Sequence, residues 1–150
     1  MTGQNTHKES TPMKVQLSRL AVPSQLACGE EHCSLVTQSG NIWTWGYGND
    51  GQLGQKNKNS LNSPKQVKGY TDVVNTACGG GHSAFILKSG ELYMFGRGRD
   101  GQLGRGDVLE SMAAYRTEPV RTEYLFKNEI KASQIALGAN HSIALVSMGK

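Results

Sequence analysis

The chain has 150 residues, 37% hydrophobic and 19% charged, enough apolar content for one ordinary folded unit. Its net charge of +4 is a mild surplus, without the polar tail or strongly basic domain usual in nucleic-acid binders. Glycine is the outlier at 19 residues beside 4 prolines, which points to many tight turns between short strands.

The N-terminal stretch MTGQNTHKESTP has no apolar run, so it reads as neither a signal peptide nor a membrane anchor. Residues 1–11 are expected to be a disordered tail. Pro12-Met-Lys-Val15 matches Pro64-Lys-Gln-Val67 in character and is expected to be an outer strand. Next comes CSLVT, apolar at nearly every position, as suits a strand covered on both faces. The turn Gln38-Ser39-Gly40-Asn41 leads into NIWTW, β-branched and aromatic, and then into the glycine-dense GYGNDGQLG. A further strand is expected near Pro64–Val67.

The order then repeats. Ala27–Gly54 lies over Ala77–Gly104 without a gap, and 13 of the 28 aligned positions are identical. AFILK, Lys88-Ser89-Gly90-Glu91, ELYMF and GRGRDGQLG follow in turn, with a counterpart strand near Pro119-Val120. A third copy, Ile135–Lys150, aligns Gly138 with Gly79, His141 with His82 and Gly149 with Gly90. Antiparallel strands recurring every 50 to 60 residues make one propeller blade, so the chain is predicted to be all-β. The blades are expected at about 27–76 and 77–135, with a partial one at 136–150. Two complete blades would leave apolar faces open, and self-association of the isolated chain is expected.

The spaced pattern GxxHS, WG or FG, and GQLG is similar to the repeat of the regulator of chromosome condensation family. His32, His82, His141, Trp45-Gly46, Phe95-Gly96 and the GQLG segments ending at Gly54 and Gly104 carry the match, over roughly residues 12–150. The resemblance implies a seven-bladed β-propeller, whose first strand often completes the last blade. On that comparison the chain reads as an N-terminal fragment with two complete repeats.

GYGNDG and GRGRDG also fit GxGxxG, but a phosphate loop must open a helix, and none is expected here. No carboxylate recurs beside the three histidines, so they are read as scaffold, with the imidazole bonding backbone between strands. Trp45, Phe95, Gly54 and Gly104 are read as scaffold too. Cys28, Cys33 and Cys78 form an odd set without CxxC and are read as reduced, with Cys28 and Cys78 as small core residues. This indicates a cytoplasmic or nuclear protein. Asp50 and Asp100 are expected to bond their own turns. No cofactor, metal site or catalytic residue is expected, and the chain is not read as an enzyme.

Function is sought where the copies diverge. Lys56, Lys58, Lys65 and Lys68 crowd one acid-free segment. Arg97, Arg99 and Arg105 replace Tyr47, Asn49 and Gln55, with Asp100 and Asp107 at hand to neutralise them. The connections after Gly106 are nine residues longer than in the first copy. They are expected to be loops, carrying Met112, Tyr115, Tyr124, Leu125 and Phe126 as an apolar contact or as packing beneath the loop itself. Tyr115 joins the lysines and arginines as a candidate partner-binding residue. Two readings of function stay open: a protein-interaction module of a regulatory protein, or, as the resemblance implies, a guanine-nucleotide exchange factor for a Ran-like small GTPase with chromatin contact. Either takes a protein partner, and neither involves a membrane.

Overall fold

The computed structural model describes residues 11–19, 21–105 and 114–148. Residues 1–10 of the expected tail, and Asp107 and Met112, lie outside the described residues. Ten strands and one short helix follow in chain order: β1 (Pro23–Cys28), β2 (His32–Thr37), β3 (Ile42–Gly46), β4 (Leu61–Gln66), β5 (Val73–Cys78), β6 (His82–Leu87), β7 (Leu92–Arg97), β8 (Tyr115–Arg121), α1 (Glu123–Lys127), β9 (Ile130–Leu137) and β10 (Ser142–Met148). β1–β4 and β5–β8 are four-stranded antiparallel meanders, the first and second blades, and β9–β10 form a two-stranded third.

Stacking explains why the central strands lack polar alternation. β5 packs on β1 and β2, and β9 packs on β5 and β6. Phe85 and Phe95 face back into a core shared with Val36, Ile42 and Val67 of the first blade. Ala84, Ile86, Leu92 and Met94 face forward into a second core with Ala132, Ile135 and Ala144. The central strands β6 and β7 therefore have apolar neighbours on both faces, and β6 is buried along five of its six residues.

The aromatic-glycine pair closing β3 and β7 has a definite job. Pairing shifts by two residues between Thr44 and Gly46 and again between Met94 and Gly96, and both glycines take positive φ, 109° and 97°. A Cβ on Gly96 would meet the Gly81 carbonyl oxygen at 2.5 Å, so only glycine fits this bulge.

Four expectations need correction. Each blade begins one strand earlier than the motif suggests, since β1, β5 and β9 precede it. PSQLAC is half polar and VVNTAC runs into the ACGG motif, and both are strands paired with β2 and β6. Residues 12–15 form no strand, because among the described residues they have no ladder partner, although Leu17 nearby packs on the Cys33, Leu35 and Trp45 cluster. The lengthened connection after β8 is not all loop: Glu123–Lys127 is helical, with an acid in its first turn and a base in its last, as the helix dipole favours. Finally, Cys78 is buried as expected but Cys28 is exposed, since among the described residues no blade covers that side of β1.

The glycine-dense turns are not helical. Gly51 and Gly101 donate to Gly48 and Gly98, and Gly54 and Gly104 donate to Gly51 and Gly101, giving successive tight turns through residue 104. The side-chain carbonyl of Gln52 accepts from the backbone of Asp50, and Gln102 does the same for Asp100. The glutamines close these turns, and the Asp50 carboxylate is used elsewhere.

Candidate interaction face

The repeated histidines sit where blades meet. His32 Nε2 lies 2.8 Å from Ser83 Oγ of the second blade, and the Ser83 hydroxyl donates to the Gln52 carbonyl at 2.7 Å. The serine proton is committed to that carbonyl, so Nε2–H must be the donor to the serine. The relay recurs one blade on: His82 Nε2 to Ser142 Oγ at 3.0 Å, then Ser142 to the Gln102 carbonyl at 2.6 Å. The imidazoles thus make a serine-bridged bond between blades, with β6 and β10 bringing Ser83 and Ser142 within reach.

A proton on Nδ1 of His32 or His82 would find no acceptor among the described residues. Burial pushes the His32 imidazole down to about 4, with His82 adding repulsion, and burial lowers His82 as well. Both rings are therefore neutral at physiological pH and act as fixed donors. His141, at the third repeat, is exposed.

The divergent residues gather on another part of the surface. The β3–β4 connection of the first blade lies against β8 of the second, where the Lys56 amide donates to the Thr117 carbonyl at 2.8 Å. That contact holds Lys56 at φ 63° and carries Lys58 over the Tyr115 ring, its Nζ 4.1 Å from the centroid. Arg99 reaches the same ring from the β7–β8 turn, at 5.0 Å. Tyr115 is half-buried, while Lys58 and Arg99 are exposed, so two cations from different blades flank one aromatic plate.

Arg97 stands beside them but is engaged: its Nε donates to Asp50 Oδ2 at 3.1 Å across the blade junction. That hydrogen bond pushes the already high Arg97 pKa upward. The neutralising acid is thus Asp50 of the preceding blade, and the expected local turn role for Asp50 does not hold. Lys56, Lys58, Arg97, Arg99 and Tyr115 share this region. Lys65 and Lys68 do not join the ring contact: both are exposed, Lys65 on β4 and Lys68 on the turn that follows it. Arg105 is half-buried just past the glycine turn.

Tyr124, Leu125 and Phe126 divide. Leu125 packs against the forward core, Tyr124 is 68% exposed, and Phe126 lies under the Arg121 guanidinium at 3.4 Å. With Glu91, Leu92 and Thr122, Leu125 and Phe126 line an open cleft of about 550 Å³, which the sequence signalled only as extra connection length. Among the described residues no three His, Cys, Asp or Glu side chains converge as metal ligands, and no helix is long and apolar enough to cross a membrane.

The regulator of chromosome condensation (RCC1) repeat profile matches residues 39–86 and 89–145, and a second profile of that repeat matches 24–52 and 73–102. RCC1 domain-containing protein 1 of Homo sapiens is 41% identical over 46 residues, 31% of this chain and 12% of that protein. The X-linked retinitis pigmentosa GTPase regulator homolog of Caenorhabditis elegans is 50% identical over 42 residues, 28% of this chain and 3% of that protein. Among solved structures, Prp20p of Saccharomyces cerevisiae superposes with a TM-score of 0.82 at 18% identity, over 93% of this chain and 34% of that one. Yeast RCC1 (Prp20) bound to Kap60 superposes at 0.76 with 29% identity, over 91% and 30%. The chain thus spans about a third of these structures and a small part of the curated relatives. Its antiparallel blades, its spaced repeat and these matches lead to one statement: the chain belongs to the regulator of chromosome condensation (RCC1) repeat family.

Proposed function

We propose that the chain is a protein-interaction part of a propeller, and that it docks an acidic surface of a protein partner on the face around Tyr115. The observation that carries this reading is the convergence of Lys58 and Arg99, from two blades, on one aromatic ring. An aromatic plate flanked by cations suits a carboxylate-rich surface: the ring supplies contact area and the charges steer approach. On this reading His32, His82, Trp45, Phe95, Gly54 and Gly104 are scaffold, and the divergent residues around the ring are the recognition elements.

The test is the affinity of a fluorescein-labelled Asp/Glu-rich peptide for the chain, followed by anisotropy at rising salt. Binding should weaken on the order of tenfold in a Lys58→Ala, Arg99→Ala double variant, with a flatter salt dependence. Equal binding by the double variant, at unchanged melting temperature, would overturn the assignment.

A second reading is guanine-nucleotide exchange on a Ran-like small GTPase. It is supported by the GTPase-regulator relative and by Prp20p, a structure reported with its binding to Gsp1p and histones. Exchange needs only a surface that displaces nucleotide, so it requires no acid–base residues. Release of labelled GDP from a Ran-like GTPase on adding the chain would favour it; unaltered release would leave the interaction reading.

A further inference from the structure

Cys28 and Cys33 stand directly opposite each other across the β1–β2 hairpin, and their sulfurs are 3.5 Å apart. The Gly29 amide donates to the His32 carbonyl at 2.8 Å, so the next pair along, Cys28 and Cys33, is a non-hydrogen-bonded pair. Such pairs hold their Cα atoms about 4.5 Å apart, within the range that a disulfide spans. One thiol is exposed and the other buried.

The repeat shows that this pairing is particular to the first blade. At the position of Cys33 the later blades carry Ser83 and Ser142, hydroxyls that bond the histidine and glutamine carbonyl of the blade before. Opposite Ser83 stands Cys78, and opposite Ser142 stands Leu137, so neither hairpin holds two thiols. In the first blade the inter-blade hydroxyl is exchanged for a thiol that contacts its cross-strand neighbour.

We propose that Cys28 and Cys33 form a reversible intrachain disulfide by exchange with a small disulfide such as oxidised glutathione. The Cys28 thiolate, the one reagent can reach, attacks one sulfur of the small disulfide and expels the other as a thiolate. The Cys33 thiolate then attacks the Cys28 sulfur of the mixed disulfide and expels the second small thiolate. The two protein thiols are oxidised to one disulfide, the small disulfide is reduced to two thiols, and both protein protons pass to the released thiolates. Burial pushes Cys33 up to about 11, while contact with Cys28 keeps the closing attack intramolecular. Cys78 stays out of the reaction: it is buried against Ser34, to which its thiol donates at 3.1 Å, and its pKa is pushed up to about 12.

Cys78, the counterpart of Cys28 one blade later, is covered there by the first blade.

The experiment treats the full reduced chain with oxidised glutathione, alkylates residual thiols after denaturation, and reads intact mass and peptides. The expected product has lost two hydrogens, contains a Cys28–Cys33 bridge and keeps one alkylated thiol of the original three, Cys78. In Cys33→Ser the reaction should stop at a glutathione adduct on Cys28, and in Cys28→Ser no adduct should form. A lasting adduct in the wild type, a disulfide-linked dimer, a bridge through Cys78, or no reaction at all would each overturn the proposal.

Discussion

The junction between the first and second blades and that between the second blade and β9–β10 use the same polar device and differ in their apolar seal. Both have the histidine–serine–glutamine relay. At the first junction Tyr70 packs edge-on to Phe85 and Tyr93, Phe85 stacks on Tyr93 at 5.2 Å, and Phe95 sits on Gly54. At the second, no described residue lies within 4 Å of where a Cβ on Gly104 would stand, Ala144 occupies the place of Phe85, and the cleft beside α1 is open. The relay needs only the first two strands of the following blade and the glycine turn of the one before. The aromatic seal needs β7, the third strand, which carries Tyr93 and Phe95.

The sharpest way to break that comparison is to remove the seal where it exists. We expect Phe95→Ala, at a fully buried ring, to cost about 3–5 kcal/mol through lost transfer energy and the cavity left behind. Leu145→Ala should change stability by less than about 0.5 kcal/mol, since that side chain is mostly in solvent. Urea titration of both variants measures the contrast. Similar losses for the two would mean that the face of β10 carrying Leu145 is covered in solution.

Acid should act on the relay. His32 has its pKa lowered from 6.5 to about 4 by burial, so between those values the unfolded chain binds the extra proton. The neutral ring's contribution is complete above pH 6.5 and is lost as pH falls through 4, a loss on the order of 3 kcal/mol. His32→Gln keeps an N–H donor without titrating, so its stability should fall less steeply between pH 6.5 and 5. Superimposable pH profiles would remove His32 from the acid response.

The two GQLG glycines test the seal from the other side. Gly54 and Gly104 both take left-handed φ, 65° and 60°, so alanine carries the same backbone penalty of about 1–2 kcal/mol at each. At Gly54 the new Cβ would also lie 3.0 Å from the Phe95 ring, whereas at Gly104 no described residue comes within 4 Å. Gly54→Ala should therefore cost roughly 1–3 kcal/mol more than Gly104→Ala, the price of overpacking. Equal penalties would show that the Phe95 ring yields freely.

These comparisons also mark what the sequence can tell. The ungapped self-match announces the blades, because hairpins, bulge glycines and aromatic anchors are local and recur in step. It marks His32 as special without naming Ser83, a partner 51 residues on, since the bond exists only once blades stack. β1 stays hidden because its residues are half polar and open on proline, whereas β5 is masked only because the ACGG motif begins inside its otherwise strand-favouring VVNTAC. α1 stays hidden because five residues, with no side-chain cap on Thr122, carry too little signal. The meeting of Lys58 with Tyr115 depends on where one blade's loop lands on the next, which divergence between repeats flags only as a difference.

The smallest effect expected is at that meeting point, and it separates surface from scaffold. Lys58 is exposed and its ammonium gains only a partly solvated attraction to the Tyr115 ring. Such contacts contribute about 0.5–1 kcal/mol, so Lys58→Ala should barely move the denaturation midpoint. A cycle of Lys58→Ala and Tyr115→Leu should return a coupling of the same small size, because no other group in the cycle changes. Arg99 remains over the ring in the single lysine variant, which further dilutes the loss. A stability loss above about 2 kcal/mol for Lys58→Ala would mean that the loop pins the first blade to the second. Tyr115 would then be scaffold like Phe95, and the candidate interaction face would have to be sought elsewhere.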